Sequence, residues 1–203
     1  MFAVKVPKLK DERRSGMRAA GKVRIIGGEW RGRRLAVADK PGLRPTPDRI
    51  RETLFNWLAA VVPEARCLDL FAGTGALGFE ALSRGARCAV LVEQNRQLAQ
   101  GLEETRAVLA AERAEIIHAE AIAWLANSHE PFDIVFLDPP FRRDYVKKAC
   151  ALLTNKGHLT PAAYVYTETE QGAPSRVPGL MVLKQAHAGQ VESRLYQYNV
   201  REI

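Results

Sequence analysis

Two short stretches of this 203-residue chain carry residue types that could do chemistry. The first is Asp138-Pro139-Pro140-Phe141, which directly follows the apolar run from Phe132 to Leu137. An exocyclic amine on a nucleobase is a poor nucleophile because its lone pair is delocalised into the ring. A carboxylate and a backbone carbonyl that accept its two N–H bonds free that pair for in-line attack on a methyl group. Asp138 and the carbonyl of Pro139 can supply these acceptors, the prolines fix the loop, and Phe141 offers a ring on which a base turned out of its helix can stack. The second stretch is Asp69-Leu70-Phe71-Ala72-Gly73-Thr74-Gly75-Ala76-Leu77-Gly78, with Glu93 twenty residues after Gly73. A G-x-G-x-x-G loop with an acid at that spacing is a nucleotide-binding arrangement, the carboxylate accepting hydrogen bonds from both ribose hydroxyls. Asp69 narrows the ligand. A pyrophosphate beside it would be repelled, whereas S-adenosylmethionine has no phosphate and carries an ammonium and a cationic sulfonium. The sulfonium methyl is already activated, so placement and preorganised acceptors are the contributions the protein must make.

These residues need elements that bring them to one edge of a sheet. From Ala65 onward, short β-rich runs alternate with helical ones, which argues for βαβ units and a parallel sheet. Strands are expected at Cys67 to Phe71, Cys88 to Glu93, Glu115 to His118, Asp133 to Leu137 and Tyr164 to Glu168. Helices are expected near Gly75 to Arg84, Arg96 to Ala110, Ala121 to Ala126 and Tyr145 to Leu153. That pattern puts Asp69, Glu93 and Asp138 at the carboxyl edge, where ligands bind in open α/β folds. Leu180 to Ala186 and Glu192 to Val200 flank a short His-Ala-Gly-Gln turn, so the sheet should finish with an antiparallel hairpin. Upstream, Val23 to Val37 reads as a β-hairpin with basic side chains on one face. Thr46 and Pro47 fit the N-cap and first position of a helix that runs to about Val62. Trp57 and Trp124 fall on helical apolar stripes and are expected in the core.

The composition bounds the rest. With 47% apolar and 26% charged residues, the chain is long enough to bury a core, roughly 70% of its unfolded surface. Cys67, Cys88 and Cys150 are scattered, as are the four histidines, so neither a disulfide framework nor a metal site is expected, and a reducing cytoplasm fits. No apolar run is long enough to span a membrane, and the first twenty residues lack a secretory apolar stretch. The formal charge of +7 is uneven: residues 1–51 hold fifteen Lys/Arg against five acids, a balance of +10 that leaves −3 for the remainder. A basic first quarter on a mildly acidic body is the pattern of a polyanion-binding arm on a catalytic or ligand-binding domain.

The motifs at 69–78 and 138–141 resemble class I S-adenosylmethionine-dependent amino-methyltransferases. Arg24, Arg-Gly-Arg-Arg-Leu (31–35), Gly-Leu-Arg-Pro-Thr (42–46) and Arg-Glu-Thr-Leu-Phe-Asn-Trp-Leu (51–58) make the sequence similar to the RsmD group of 16S rRNA guanine-N2 methyltransferases, over about residues 23–200. The resemblance implies a Rossmann-like α/β fold, a doubly wound and mostly parallel sheet with an antiparallel C-terminal strand, preceded by an N-terminal β-hairpin extension. It implies donor contacts from Asp69, Phe71, Gly73, Thr74 and Gly75, and ribose contacts from Glu93 with Gln94 beside it. Where an Asp or Asn commonly accepts the adenine amine, this sequence has His118-Ala119-Glu120-Ala121, making Glu120, with Ala121, the substitute.

Three segments are therefore expected: a disordered basic tail over 1–22, a basic hairpin and helix over 23–62 that covers RNA and cofactor, and a methyltransferase domain over 63–203. Trp30, Arg31, Arg33, Arg34, Arg44, Thr46, Arg49 and Arg51 are expected to face RNA, with guanidinium forks for phosphate and Trp30 for a base. Arg142 and Arg143 would hold the backbone beside a flipped nucleotide. Two or three of these arginines are expected to pair with acids of the body instead. The expected activity is methyl transfer to guanine N2 in 16S rRNA of assembled 30S particles, by a cytoplasmic monomer without metal. Three rivals remain: a DNA adenine-N6 methyltransferase, for which 203 residues leave no separate DNA-reading domain; a dehydrogenase, disfavoured by Asp69; and a non-catalytic RNA-binding assembly factor, disfavoured by Asp138 and Glu93.

Overall fold

The computed structural model describes residues 19–38, 46–127, 130–140 and 144–199. A two-stranded antiparallel sheet, β1 (Ala19–Arg24) and β2 (Arg34–Ala38), precedes α1 (Asp48–Trp57). Then follow β3 (Arg66–Asp69), α2 (Ala76–Ser83), β4 (Cys88–Glu93), α3 (Arg96–Leu109), β5 (Ala114–His118), α4 (Ala121–Leu125), β6 (Phe132–Leu137), α5 (Tyr145–Asn155), β7 (Leu159–Glu170), β8 (Leu180–Ala188) and β9 (Val191–Tyr198). The main sheet has the order β5-β4-β3-β6-β7-β9-β8. Strands β3 to β7 are parallel, and β9 runs antiparallel between β7 and β8. The chain builds outward from β3 to β5 on one side, then returns to place β6 on the other, so the switch point falls between β3 and β6.

Both faces of the sheet are covered, and the strands alternate between two cores. Cys67, Ala89, Leu91, Ile134, Phe136 and Tyr166 pack with α1, α2 and α3. Leu68, Leu70, Val90, Val92, Val135 and Leu137 pack with α4 and α5. This period-2 division follows from strand geometry, and burial on both faces explains the near-continuous apolar runs. Every residue of α2 is buried, including Glu80 and Ser83, because the helix lies between the sheet and the segment joining β1 to β2.

Several boundaries differ from the sequence reading, each for a physical reason. Strand β1 begins at Ala19, inside the expected tail, because β2 supplies a partner as far as Ala38. Helix α1 starts at Asp48, with Pro47 rather than Thr46 at the N-cap, and no side chain caps it. Thr46 therefore sits one residue too early to reach the free N–H groups of the first turn. The helix stops at Trp57, where Leu58 closes it and Val61 donates to the Leu58 carbonyl in a tighter turn ahead of Pro63. Strand β7 starts five residues before Tyr164, since an irregularity in its pairing with β6 accommodates Pro161 and the left-handed Ala162. Trp57 and Trp124 pack partly buried against the two cores.

Candidate active site at the carboxyl edge of the sheet

Four acids share one face at the carboxyl edge. Asp69 ends β3, Glu93 ends β4, Asp138 follows β6, and Glu168 lies near the end of β7. All four alternate in phase with residues of the core formed with α1, α2 and α3. Leu137 is opposite Thr167 in the β6–β7 ladder, so the next position puts Asp138 beside Glu168.

The glycine loop is tied to the first two acids. Asp69 Oδ2 accepts from the Gly78 N–H at 2.9 Å, joining the end of β3 to the first turn of α2. Glu93 Oε2 accepts from Gly73 N–H at 2.9 Å and Oε1 from Asn95 N–H at 2.7 Å, leaving further lone pairs on both oxygens. Gly73 and Gly75 have φ of 53° and 75°, where glycine is favoured. At Gly75 packing adds to this: a Cβ would lie 2.6 Å from the Phe79 ring and 2.7 Å from Leu102. Thr74 is buried in the loop, and the half-buried Phe71 ring lies 5.4 Å from that of Tyr145. Burial pushes the Asp69 carboxyl up to about 7, with the Glu93 charge acting the same way and the Gly78 N–H opposing it.

Gln94 is exposed, and its carbonyl lies 3.1 Å from His118 Nε2. Glu120 caps α4, its Oε2 accepting from Ala123 N–H at 2.7 Å, and Ala121 is buried behind it. The Ala119 N–H donates to the Glu93 carbonyl and ties this segment to the glycine-loop cluster.

Around Asp138 the neighbours are Thr46, Glu168 and Tyr166. Thr46 Oγ1 lies 3.2 Å from Asp138 Oδ2 and 3.0 Å from Glu168 Oε1. Tyr166 Oη lies 2.9 Å from the same Glu168 oxygen and 3.1 Å from Ser193 Oγ. Burial, then the charges of Glu168 and Asp69, hold the Asp138 carboxyl well above the usual range, against the pull of Thr46. Burial also raises Glu168, opposed by hydrogen bonds from Tyr166 and Thr46. Thr46 thus turns its hydroxyl inward to the acids, instead of capping α1 or facing outward with the basic side chains. Pro139 is buried; Phe141 lies outside the described residues. Glu168 was missed in the sequence, although an acid ending a strand beside the Asp138 strand was the available signal.

Besides Thr46, two more of the residues expected to face RNA do not. Trp30 is only 7% exposed and packs in the core with α1 and α2, its N–H bound to Ser83 Oγ, so it offers no ring for a base. Arg51 is fully buried and pairs with Asp48 at 2.6 Å and Glu80 at 3.5 Å, donating also to the carbonyls of Arg24 and Thr46. Arg31, Arg33, Arg34 and Arg49 are exposed, and Arg33 donates to the Val108 carbonyl. Arg44, Arg142 and Arg143 lie outside the described residues. A cavity of about 350 Å³ opens at the opposite edge, lined by Ala65, Asp133, Thr160 and Tyr164, away from these acids.

Comparison with known proteins fits this arrangement. Residues 23–197 match the family described as Conserved hypothetical protein 95. Ribosomal RNA small subunit methyltransferase D of Escherichia coli K12 is 49% identical over 180 residues, 88% of this chain and 91% of that one. This chain belongs to the RsmD family. The Haemophilus influenzae member is 45% identical over 184 residues, covering 88% of this chain and 95% of its own. The solved structure of yhhF from Escherichia coli superposes with a TM-score of 0.82 at 49% identity, covering 88% of this chain and 99% of that one. The family match takes in β2, the glycine loop, Asp138 and Glu168, and the fold is the Rossmann-like class I methyltransferase fold.

Proposed function

We propose that this chain transfers a methyl group from S-adenosylmethionine to the exocyclic N2 of a guanine in 16S rRNA, acting on assembled 30S particles as a cytoplasmic monomer. The observation that carries this reading is the position of Asp138 across the switch point from Asp69 and Glu93, in a chain whose relatives are called ribosomal RNA small subunit methyltransferase D.

The residues present fit a cationic, phosphate-free donor. Asp69 and Glu93 make the loop acidic, Glu93 keeps lone pairs for the two hydroxyls of a ribose, and no ion pair to either acid occurs among the described residues. The donor supplies a methyl on positively charged sulfur. Asp69, Phe71, Gly73, Thr74 and Gly75 would hold its amino-acid end, Glu93 and Gln94 its ribose, and Glu120 with Ala121 its adenine. Asp138 and the Pro139 carbonyl accept the two amine N–H bonds, hold the nitrogen in line and localise its lone pair. Phe141 stacks on the flipped base, and Arg31, Arg34, Arg44, Arg49, Arg142 and Arg143 bind RNA phosphates.

Tritium transfer from labelled donor to 30S particles and to naked 16S RNA, both from cells lacking this protein, tests the reading. The expected product is labelled N2-methylguanosine, with particles the better substrate. Label confined to another nucleoside, or none with donor bound, contradicts it.

A further inference from the structure

The bridge between Asp138 and Glu168 does not close with a single hydrogen. A threonine hydroxyl donates once, yet Thr46 Oγ1 faces carboxyl oxygens at 3.2 and 3.0 Å. One of these two approaches is a hydrogen bond only if that carboxyl brings a hydrogen of its own. Glu168 Oε1 also has the Tyr166 hydroxyl at 2.9 Å, so it is the oxygen placed to receive two donors as an ionised acceptor. That leaves Asp138 as the protonated partner, donating to Thr46 through Oδ2 with Oδ1 free to accept. The surrounding charges agree. Asp69 on β3 adds negative charge towards Asp138, Tyr166 and Ser193 face Glu168 from β7 and β9, and no cation among the described residues pairs with either carboxyl. Arg44, Arg142 and Arg143 neighbour Thr46 and Asp138 in the chain, outside the described residues. Two carboxyls at adjacent register positions, Glu168 buried and Asp138 partly buried, retain one proton between them.

Resting on the amine methylation proposed above, we propose that Glu168 is the final proton acceptor of the reaction, reached from Asp138 through the Thr46 hydroxyl. As the nitrogen–methyl bond forms and the carbon–sulfur bond breaks, sulfur leaves as a neutral thioether and the nitrogen holds a surplus proton. That proton passes to Asp138 Oδ1, the Oδ2 proton passes to Thr46 Oγ1, and the Thr46 proton passes to Glu168 Oε1. Asp138 and Thr46 keep their proton counts with the relay reversed, the Asp138 proton now on Oδ1 and the Thr46 hydroxyl turned to Oδ2. Once Glu168 has returned its proton to water after product release, rotation of the Asp138 carboxyl and the Thr46 hydroxyl restores the starting arrangement. Glu168 acts through Thr46 and touches no substrate.

The test combines carboxyl ¹³C NMR of the whole protein with single-turnover rates on 30S particles across pH. In the wild type, Glu168 should ionise first and Asp138 should stay protonated well beyond the ordinary carboxylate range. In Glu168→Gln the Asp138 midpoint should fall by about one pH unit or more. The rate should drop about a hundredfold with the acid limb lost. Thr46→Val, which keeps both carboxyls, should cause the same loss, and Thr46→Ser should restore the rate. Both carboxyls ionising together in the ordinary range would overturn the proposal, as would wild-type rates with an unmoved acid limb in Glu168→Gln or Thr46→Val. Absence of N2-methylguanosine with wild-type protein defeats the amine-methylation reading instead, and the NMR titration still decides the proton count of the pair.

Discussion

Asp69 is an acid held close to neutral pH by its own burial, and this gives it two measurable consequences. Folding raises its carboxyl from the ordinary range near 4 to about 7, so between those values the native state binds more protons than the unfolded chain. Stability of the unliganded protein should therefore fall as pH rises through that window and level off above it, with Asp138 and Glu168 adding in the same direction. Asp69→Asn should flatten part of the slope in urea unfolding at a series of pH values. Donor binding is the second consequence, because a cation beside Asp69 favours its charged form. Calorimetry at about pH 6, in buffers of different ionisation enthalpy, should register proton release on S-adenosylmethionine binding that Asp69→Asn removes. A slope or a proton count unaffected by the substitution would place the ionisation elsewhere.

The elements were largely legible in the sequence, and the exceptions share a cause. Strands β3 to β6 and helices α2 to α5 follow from apolar runs and spacing, and Asp69 and Glu93 fall where those runs end. What the sequence hid were interactions between segments far apart in the chain. Glu80 is a lone acid on an otherwise apolar helix; its carboxylate accepts from the N–H groups of Ile26 and Gly27, both at 2.8 Å, and pairs with Arg51 and Arg84. Ser83 binds Trp30 N–H and the Gly27 carbonyl, and Gly28 passes so close that a Cβ would lie 1.7 Å from the Ser83 carbonyl oxygen. This clamp, rather than RNA, explains why Trp30 and Arg51 are where they are. Truncating Glu80 leaves the fully buried Arg51 short of a partner, a change that costs about 3–5 kcal/mol. Glu80→Ala should lower unfolding stability by about that amount and open the segment between β1 and β2 to limited proteolysis. Unchanged stability would show that the clamp is not what seats the hairpin.

At the scale of the whole molecule, the positive charge lies ahead of the acidic sheet edge, and part of it is structural. Arg51 is taken up by Asp48 and Glu80, while Arg31, Arg34 and Arg49 remain exposed. Arg31→Ala with Arg34→Ala should weaken RNA binding and make its logarithmic salt dependence shallower, by about 0.7 to 0.9 for each phosphate no longer neutralised. Donor affinity should be unaffected, since neither arginine touches the glycine loop; an unchanged salt slope would remove them from the RNA surface. In the proposed reaction, the carboxyl edge around Asp138 performs methyl transfer to an exocyclic amine. The most direct test is single-turnover transfer to 30S particles from cells lacking this protein, comparing wild type with Asp138→Ala at saturating donor. N2-methylguanosine formation should slow by about a hundredfold or more in Asp138→Ala, with donor affinity retained. Near-normal turnover by Asp138→Ala would contradict it.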